Sequence, residues 1–275
     1  MGHNAAEEFC RDVSMLRPRI TPCLLVKNGG LVKTTNFGNP KYVGDPINAV
    51  KIFNEKEVDE IIVVDIDASV QHRNPDYALI QNLAAECRMP LCYGGGVKTV
   101  EQIEKIIGLG VEKVAISSAA IGDPELIATA AAVVGSQSVV VVLDVKKVES
   151  RERYEIYVHN GAQGTGLHPV EFARNAELLG AGELVINSID CDGLMTGYDL
   201  QLAGEVRAAT NLPITVLGGA GSLQDMATLI ERFGTIGAAA GSLFVFKGRF
   251  RAVLINYPSR SEKDALVPRA RQAVI

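Results

Sequence analysis

The chain has no tryptophan, and aromatic residues make up only 5% of its 275 positions. That argues against a stacking platform for single-stranded nucleic acid, which needs successive aromatic faces. Positive charge is not in excess either: 27 Lys and Arg stand against 32 Asp and Glu, a formal net charge of −5. The chain as a whole offers no electrostatic footprint for nucleic acid or an anionic membrane, so any basic site must be local. No apolar stretch reaches membrane-spanning length. The five cysteines (Cys10, Cys23, Cys87, Cys92 and Cys191) lack metal-ligand spacing, and an odd number suits no closed disulfide framework. No histidine pair has metal-ligand spacing, so neither a metal nor another cofactor is expected. Residues 1–16 lack the positive start and apolar core of a signal peptide, which makes the cytoplasm the expected compartment.

What the chain does have is alternation. Apolar, β-branched runs lie near Arg19–Val26, Ile61–Ile66, Pro90–Tyr93, Lys113–Ser117, Ser138–Asp144, Glu183–Ser188, Pro213–Leu217 and Thr235–Ala240. Continuous runs of this kind suit parallel strands covered on both faces. Between them lie helix-length segments with start signals. Asp45-Pro46 and Asp123-Pro124 place a capping residue before a proline, and Thr99 and Ser222 are further N-cap candidates. Eight strand-and-helix units without a Pro/Ser-rich linker predict one (βα)₈ TIM barrel over 17–257. Residues 1–16 read as an N-terminal extension and 258–275 as a peripheral C-terminal tail. A doubly wound sheet is the alternative.

A repeat divides the barrel into two (βα)₄ halves. Cys92-Tyr93-Gly94-Gly95-Gly96 is followed, 23 residues after Gly94, by Ser117-Ser118; Val216-Leu217-Gly218-Gly219-Ala220 is followed, 23 residues after Gly218, by Gly241-Ser242. A glycine turn between strand and helix lets backbone N–H groups approach an anion. Either turn alone is more often a plain strand-to-helix connection; the matched pair predicts two phosphate sites and a ligand phosphorylated at both ends.

In a barrel of this type chemistry sits where strands end. Polar residues at those ends include Lys27, Lys33, Asp65, Asp67, Ser69, Ser117, Ser118, Asp144, Lys146, Asp190, Asp192 and Ser242. Asp144, closing the run Val139–Leu143, is the first candidate for acid–base work, because a carboxylate there is costly to bury unpaired. A carboxylate bonded to loop backbone is the competing reading. Asn160–Gly166 reads as a flexible loop after the fifth strand, either a lid or a solvated connection.

Together, Arg19-Ile20-Thr21-Pro22-Cys23-Leu24, Gly94-Gly95-Gly96, Gly135-Ser136-Gln137, Thr165-Gly166, Gly197-Tyr198-Asp199-Leu200 and Gly218-Gly219-Ala220-Gly221 resemble the HisF family, the cyclase subunit of imidazole glycerol phosphate synthase. The resemblance covers Arg17 to Tyr257. It implies a barrel that takes ammonia from a glutaminase (HisH-like) partner at its lower face and passes it upward to a bis-phosphorylated ribulosyl-formimino nucleotide. By the same resemblance, Lys33, Gly95, Gly96, Ser117, Ser118, Asp192, Gly193, Gly218, Gly219, Gly241 and Ser242 would contact the phosphorylated ligand. Arg19, Glu60, Lys113 and Glu183 would form the ammonia gate, for which a purely structural salt-bridge cluster is the alternative.

One departure stands out. The family has Pro-Cys-Leu-Asp-Val-Lys at the first strand, and its aspartate is one of two catalytic acid–base groups. Here the sequence is Pro22-Cys23-Leu24-Leu25-Val26-Lys27. Leu25 cannot move a proton, while the second aspartate is retained as Asp144. Ser117 and Leu194 also replace a family asparagine and threonine. The expectation is a HisF-like paralogue that feeds ammonia to a different reaction. The resemblance extends to systems making acetamidino sugars for surface polysaccharides, with a sugar amidotransferase as a further partner. An authentic cyclase using Asp65, Asp67 or Asp192 instead, and a non-catalytic phosphate-binding barrel, are the alternatives.

Overall fold

Inward and outward faces alternate along the first strand, and that alternation sets the architecture. In the computed structural model, which describes residues 17–148 and 153–266, β1 (Arg19–Lys27) sends Ile20, Leu24 and Val26 outward into the core beneath the helices. The residues between them, Arg19, Thr21, Cys23 and Leu25, face the other way, as the two-residue period of a strand requires. The same logic repeats in β4 (Ile61–Asp65), β5 (Leu91–Gly94), β6 (Lys113–Ile116), β7 (Val139–Val148), β10 (Glu183–Ser188), β11 (Ile214–Leu217) and β12 (Gly237–Ala240). These eight strands are parallel neighbours in the order β1-β4-β5-β6-β7-β10-β11-β12, and β12 pairs back to β1. The result is a closed eight-stranded barrel with alternating helices, the expected (βα)₈ architecture.

Helices start where Asp45, Thr99 and Ser222 predict, whereas Asp123 falls one residue early: Pro124 takes the cap position before Glu125–Val134 and Asp123 closes the preceding turn. In α1 (Pro46–Glu55), Asp45 accepts the Asn48 N–H at 2.8 Å and Pro46 takes the first position. After α2 (Tyr77–Glu86), α3 (Val100–Gly108) is capped by Thr99 and buries Ile103 and Ile106. α4 (Ser118–Gly122) and α5 (Glu125–Val134) follow β6, α6 (Pro169–Leu178) precedes β10, and α7 (Leu200–Arg207) follows it. α8 (Leu223–Phe233) opens with a reciprocal capping box between Ser222 and Asp225 and buries Met226, Leu229 and Ile230. Each fully buried Leu or Ile contributes about 1.5–3 kcal/mol, so this apolar shell holds the helices to the barrel. Among the described residues no helix is long and apolar enough to cross a membrane.

Three departures from a plain barrel shape its upper, C-terminal face. β1 turns back into β2 (Gly30–Thr35) and β3 (Gly38–Gly44), an antiparallel hairpin. β7 runs past Asp144 to Val148 and pairs antiparallel with β8 (Arg153–Val158), which in turn pairs with β9 (Gln163–Gly164). Part of the loop expected at 160–166 is therefore ladder, and the Thr165 hydroxyl donates to the Ile156 carbonyl at 2.8 Å. After β12 come α9 (Ser242–Val245) and a short hairpin of β13 (Phe246–Lys247) and β14 (Ala252–Val253).

At the opposite face, the segment set apart as a tail carries α10 (Arg260–Leu266). Lys263 pairs with Asp59 at 2.5 Å and Arg17 with Asp264 at 2.9 Å, tying α10 beside the start of β1. The expected N-terminal extension, residues 1–16, and the end of the tail, 267–275, lie outside the described residues.

Candidate functional site

The lower end of the barrel carries four charges in a closed ring. Arg19 starts β1, Glu60 precedes β4, Lys113 starts β6 and Glu183 starts β10. Glu60 lies 3.0 Å from Arg19 and 2.6 Å from Lys113; Glu183 lies 2.6 Å from Arg19 and 2.8 Å from Lys113. Each carboxylate thus touches both cations, and Glu183 also accepts the Thr215 hydroxyl at 2.6 Å. The carboxylates are buried while the cations reach toward solvent. Burial alone would push the Glu183 carboxyl up, but Arg19 and Lys113 more than reverse this and hold it below its ordinary value. Desolvation works against the Lys113 ammonium, and the two glutamates overcome it and raise its pKa.

Above the ring the barrel interior is apolar. Cys23, Ile62, Cys92, Ala115, Val140 and Val185 form a cluster separate from the barrel–helix core, with Leu25, Val64, Val142 and Leu217 packed against it. Cys23 stands four residues above Arg19, about 13 Å along the strand. The Thr21 hydroxyl, between ring and cluster, is buried without a hydrogen-bond partner. Cys23, Cys87, Cys92 and Cys191 are free thiols.

The upper end opens into a cavity of about 1300 Å³, mouth included, floored by Cys23, Ile62, Ala115 and Val185. Every ligand-contact residue expected from the sequence borders it: Lys33, Gly95, Gly96, Ser117, Ser118, Asp192, Gly193, Gly218, Gly219, Gly241 and Ser242, together with Asp144 and Leu25. The two glycine turns face each other across the mouth because their strands sit half a barrel apart. They accept no side chain: Gly95 has φ +114°, and a Cβ there would strike the Asp65 carbonyl; Gly219 has φ +108°, and a Cβ there would strike the Gly197 carbonyl. Lys33 sits on a hairpin yet is only 4% exposed. Its ammonium donates to the Cys23 carbonyl at 2.6 Å and lies 2.7 Å from where a Gly241 Cβ would stand. Burial lowers the Lys33 pKa, with Cys23 and Asp192 acting against that.

Asp144 and Leu25 share this cavity. Burial raises the Asp144 carboxyl to about 6; the Asn187 hydrogen bond works against that rise and the neighbouring Asp192 adds to it. A carboxyl poised there exchanges protons readily near neutrality. Asp192 has a second duty, since its Oδ2 accepts the Thr34 hydroxyl at 2.6 Å and the Phe37 N–H at 3.2 Å, clamping the β2–β3 hairpin across the mouth. Asp65 accepts the Asp67 and Ala68 N–H groups and pairs with Arg73 at 3.3 Å, and Asp67 pairs with Lys27 at 3.3 Å.

Sequence reasoning passed over Asn187. It neighbours Asp144 across the β7–β10 ladder and donates its amide N–H to Asp144 Oδ1 at 2.9 Å. The signal was present: Glu183, Val185 and Asn187 alternate along β10, and a polar residue on the inward face of an apolar strand points into the barrel. Ser117 Oγ, also on the cavity, is buried without a partner. Among the described residues no group of three His, Cys, Asp or Glu side chains could hold a metal ion.

Comparison with known proteins agrees with this geometry. A family model described as "Histidine biosynthesis protein" matches residues 19–251. The chain is 55% identical over 252 residues to the "Putative imidazole glycerol phosphate synthase subunit HisF" of Leptospira interrogans, covering 92% of this chain and 99% of that one. It is 55% identical over 249 residues to the "Putative imidazole glycerol phosphate synthase subunit hisF3" of Vibrio vulnificus, covering 90% and 96%. The "Imidazole glycerol phosphate synthase subunit HisF" of Lactococcus lactis subsp. cremoris is 43% identical over 230 residues, covering 84% and 89%. With the match spanning nearly the whole barrel, the chain belongs to the histidine biosynthesis protein family, as a HisF-like member.

Proposed function

We propose that this chain is the barrel subunit of a glutamine amidotransferase assembly in the cytoplasm. A glutaminase partner docks on the lower face, ammonia enters through the ring of Arg19, Glu60, Lys113 and Glu183, and it reaches a phosphorylated substrate in the upper cavity. The reaction there differs from imidazole formation, and the acceptor is a sugar on the route to acetamidino sugars of surface polysaccharides. A sugar amidotransferase is then the third component.

One observation carries the reading: Leu25 faces a cavity that keeps Asp144 and the rest of its expected polar residues. Imidazole closure in the family uses two carboxylates, and positioned acid–base catalysis contributes about 10²–10⁴-fold. The alternative, an authentic cyclase with a substitute carboxylate, is disfavoured by the commitments of the candidates. Asp65 holds backbone N–H groups and Arg73, Asp67 holds Lys27, and Asp192 holds the β2–β3 hairpin. A simple phosphate-binding barrel would have no use for a neutral four-charge ring beneath an apolar interior. A conduit does use it: on this reading the apolar side chains above the ring admit neutral ammonia and refuse ions.

The test supplies ammonium salt and the ribulosyl-formimino nucleotide to the purified chain and follows imidazole glycerol phosphate. The native chain should turn over near background, and Leu25→Asp should raise the rate by about 10²–10⁴-fold. Robust turnover by the native chain would overturn the proposal.

A further inference from the structure

Asn187 is only 7% exposed, and only the nitrogen of its amide is accounted for: the NH₂ donates to Asp144 Oδ1, while the buried Oδ1 has no partner. An ionised carboxylate only accepts, so the amide nitrogen must face it and the oxygen must face away. That oxygen borders the cavity at Gly218, where a Cβ would lie 3.2 Å from it. A Cβ there would also strike the Ser188 carbonyl oxygen at 2.6 Å, so only glycine lets the amide edge sit against this part of the cavity wall. A buried acceptor without a donor is costly, so the arrangement is complete only with a donor supplied from the cavity or with the amide reversed.

Reversal opens once Asp144 takes a proton, because a carboxylic acid donates as well as accepts and can satisfy the orphaned amide oxygen. We propose that Asn187 is a positioning residue that inverts with the protonation state of Asp144. While Asp144 is ionised, the amide oxygen is offered to a substrate O–H or N–H. When Asp144 is protonated, its O–H donates to the amide oxygen and the NH₂ is offered to a substrate carbonyl. The inference deepens the ammonia-transfer reading and rests on it, since it takes Asp144 as the acid–base group of this cavity.

The sequence of states matches one class of chemistry, the addition of ammonia to a C=O group. Before addition the substrate oxygen only accepts, and it meets the Asn187 NH₂ beside protonated Asp144. The nitrogen lone pair then forms the C–N bond, the Asp144 O–H swings from the amide oxygen to the substrate oxygen and gives its proton to the C=O π pair, and the nitrogen's surplus proton leaves to water. The substrate oxygen is now a hydroxyl, a donor. Asp144 is now a carboxylate, which reclaims the amide nitrogen and leaves the amide oxygen to accept from that hydroxyl. One residue thereby follows the substrate through a change from acceptor to donor, with a single carboxylate in attendance.

The ionisable groups around Asp144 are few. Cys23 on β1 has its thiol pushed up to about 11 by burial and is neutral in this range. Lys33 on β2, Asp65 at the end of β4 and Asp192 after β10 are the other charged groups bordering the same cavity, and Asp65 is paired with Arg73. Tyr157 is the register partner of Asp144 on β8, and Lys146, on the same strand, lies exposed over the Tyr157 ring.

The experiment uses the native chain, ¹⁵N- and ¹³C-labelled, without substrate. Asn187 side-chain NH₂ protons are followed by NMR from pH 4.5 to 8, together with the Asp144 carboxyl carbon. A cross-peak from the Asn187 NH₂ to the Gly218 Hα protons should be present at pH 4.5 and lost at pH 8. Its disappearance should share the Asp144 midpoint, near the value of about 6. A cross-peak pattern unchanged across that midpoint would overturn the inversion. Because no substrate is present, that failure is separate from a failure of the ammonia-transfer reading, which the Leu25→Asp assay decides.

Discussion

Replacing Asp144 by asparagine should make the protein more stable, by a margin that builds as pH rises from 3.8 and is complete above about 6. Burial raises the Asp144 carboxyl from 3.8 to about 6. A raised acid holds its proton more tightly folded than unfolded, so folding stability falls as pH climbs from 3.8 through 6 and then levels off. At 1.36 kcal/mol for each pH unit, the ionised folded state carries a penalty of about 3 kcal/mol. The cavity is open to water on one side, which screens the charge and brings the expected figure to about 1–2 kcal/mol. Asparagine keeps an oxygen for the Asn187 N–H and never ionises, so it escapes the penalty. Urea unfolding of both proteins at pH 8 and pH 4.5 measures it. Asp144→Asn should be about 1–2 kcal/mol more stable relative to native at pH 8 than at pH 4.5. An equal difference at both pH values would refute the argument that burial raises this carboxyl.

The lower ring should behave in the opposite sense. Glu183→Gln removes the charge shared by Arg19 and Lys113, and breaking a largely buried pair costs about 3–5 kcal/mol at pH 7. The Glu183 carboxyl is held below its ordinary value, so its contribution is present above about pH 4.5 and fades as pH falls through the folded pKa. Thermal unfolding at pH 7 and pH 3.5 should show the native advantage shrinking at the lower pH; a constant gap would contradict the pairing. Gly95→Ala should cost about 2–4 kcal/mol or prevent folding, since φ is +114° and the Asp65 backbone occupies the Cβ position. Gly108→Ala, at a helix position with nothing within 4 Å, is the control and should be neutral or mildly stabilising in chemical denaturation.

Barrel strands were legible because a strand covered on both faces needs apolar residues without interruption, and each of the eight runs overlaps its strand. The upper cavity was legible for a different reason. Closing the barrel brings strand ends 124 residues apart in sequence to one rim, so a repeat of glycine turns becomes one cavity. What the sequence hid were properties of contact. Lys33 in a hairpin gives no sign of burial, which arises because Asp192 draws the β2–β3 hairpin down over the mouth. The ladder from Val145 to Val158 was missed because its residues alternate weakly and carry Lys146, Lys147, Arg153 and Glu155. α10 looked peripheral because its charges, Lys263 and Asp264, show no partners until Asp59 and Arg17 are brought beside them.

The separation of the two ends explains how one site can change while the other stays. The lower ring holds two positive and two negative groups in mutual contact, so its field decays as that of a set of opposed dipoles rather than a net charge. Even an unpaired charge about 13 Å away, at an effective dielectric of about 20, would act on the upper carboxyl with only about 1.3 kcal/mol. The neutral ring exerts far less. The apolar layer of Cys23, Ile62, Cys92, Ala115, Val140 and Val185 has no ionisation to transmit, since burial raises both of its thiols. A change such as aspartate to leucine at position 25 therefore alters proton chemistry above without disturbing the charge balance below. It also removes a second carboxylate from the neighbourhood of Asp144, which relieves like-charge repulsion and makes a single proton-carrying group cheaper to maintain. A barrel with independent ends can keep its lower ring and its glycine turns while one side chain alters the proton chemistry of the upper cavity.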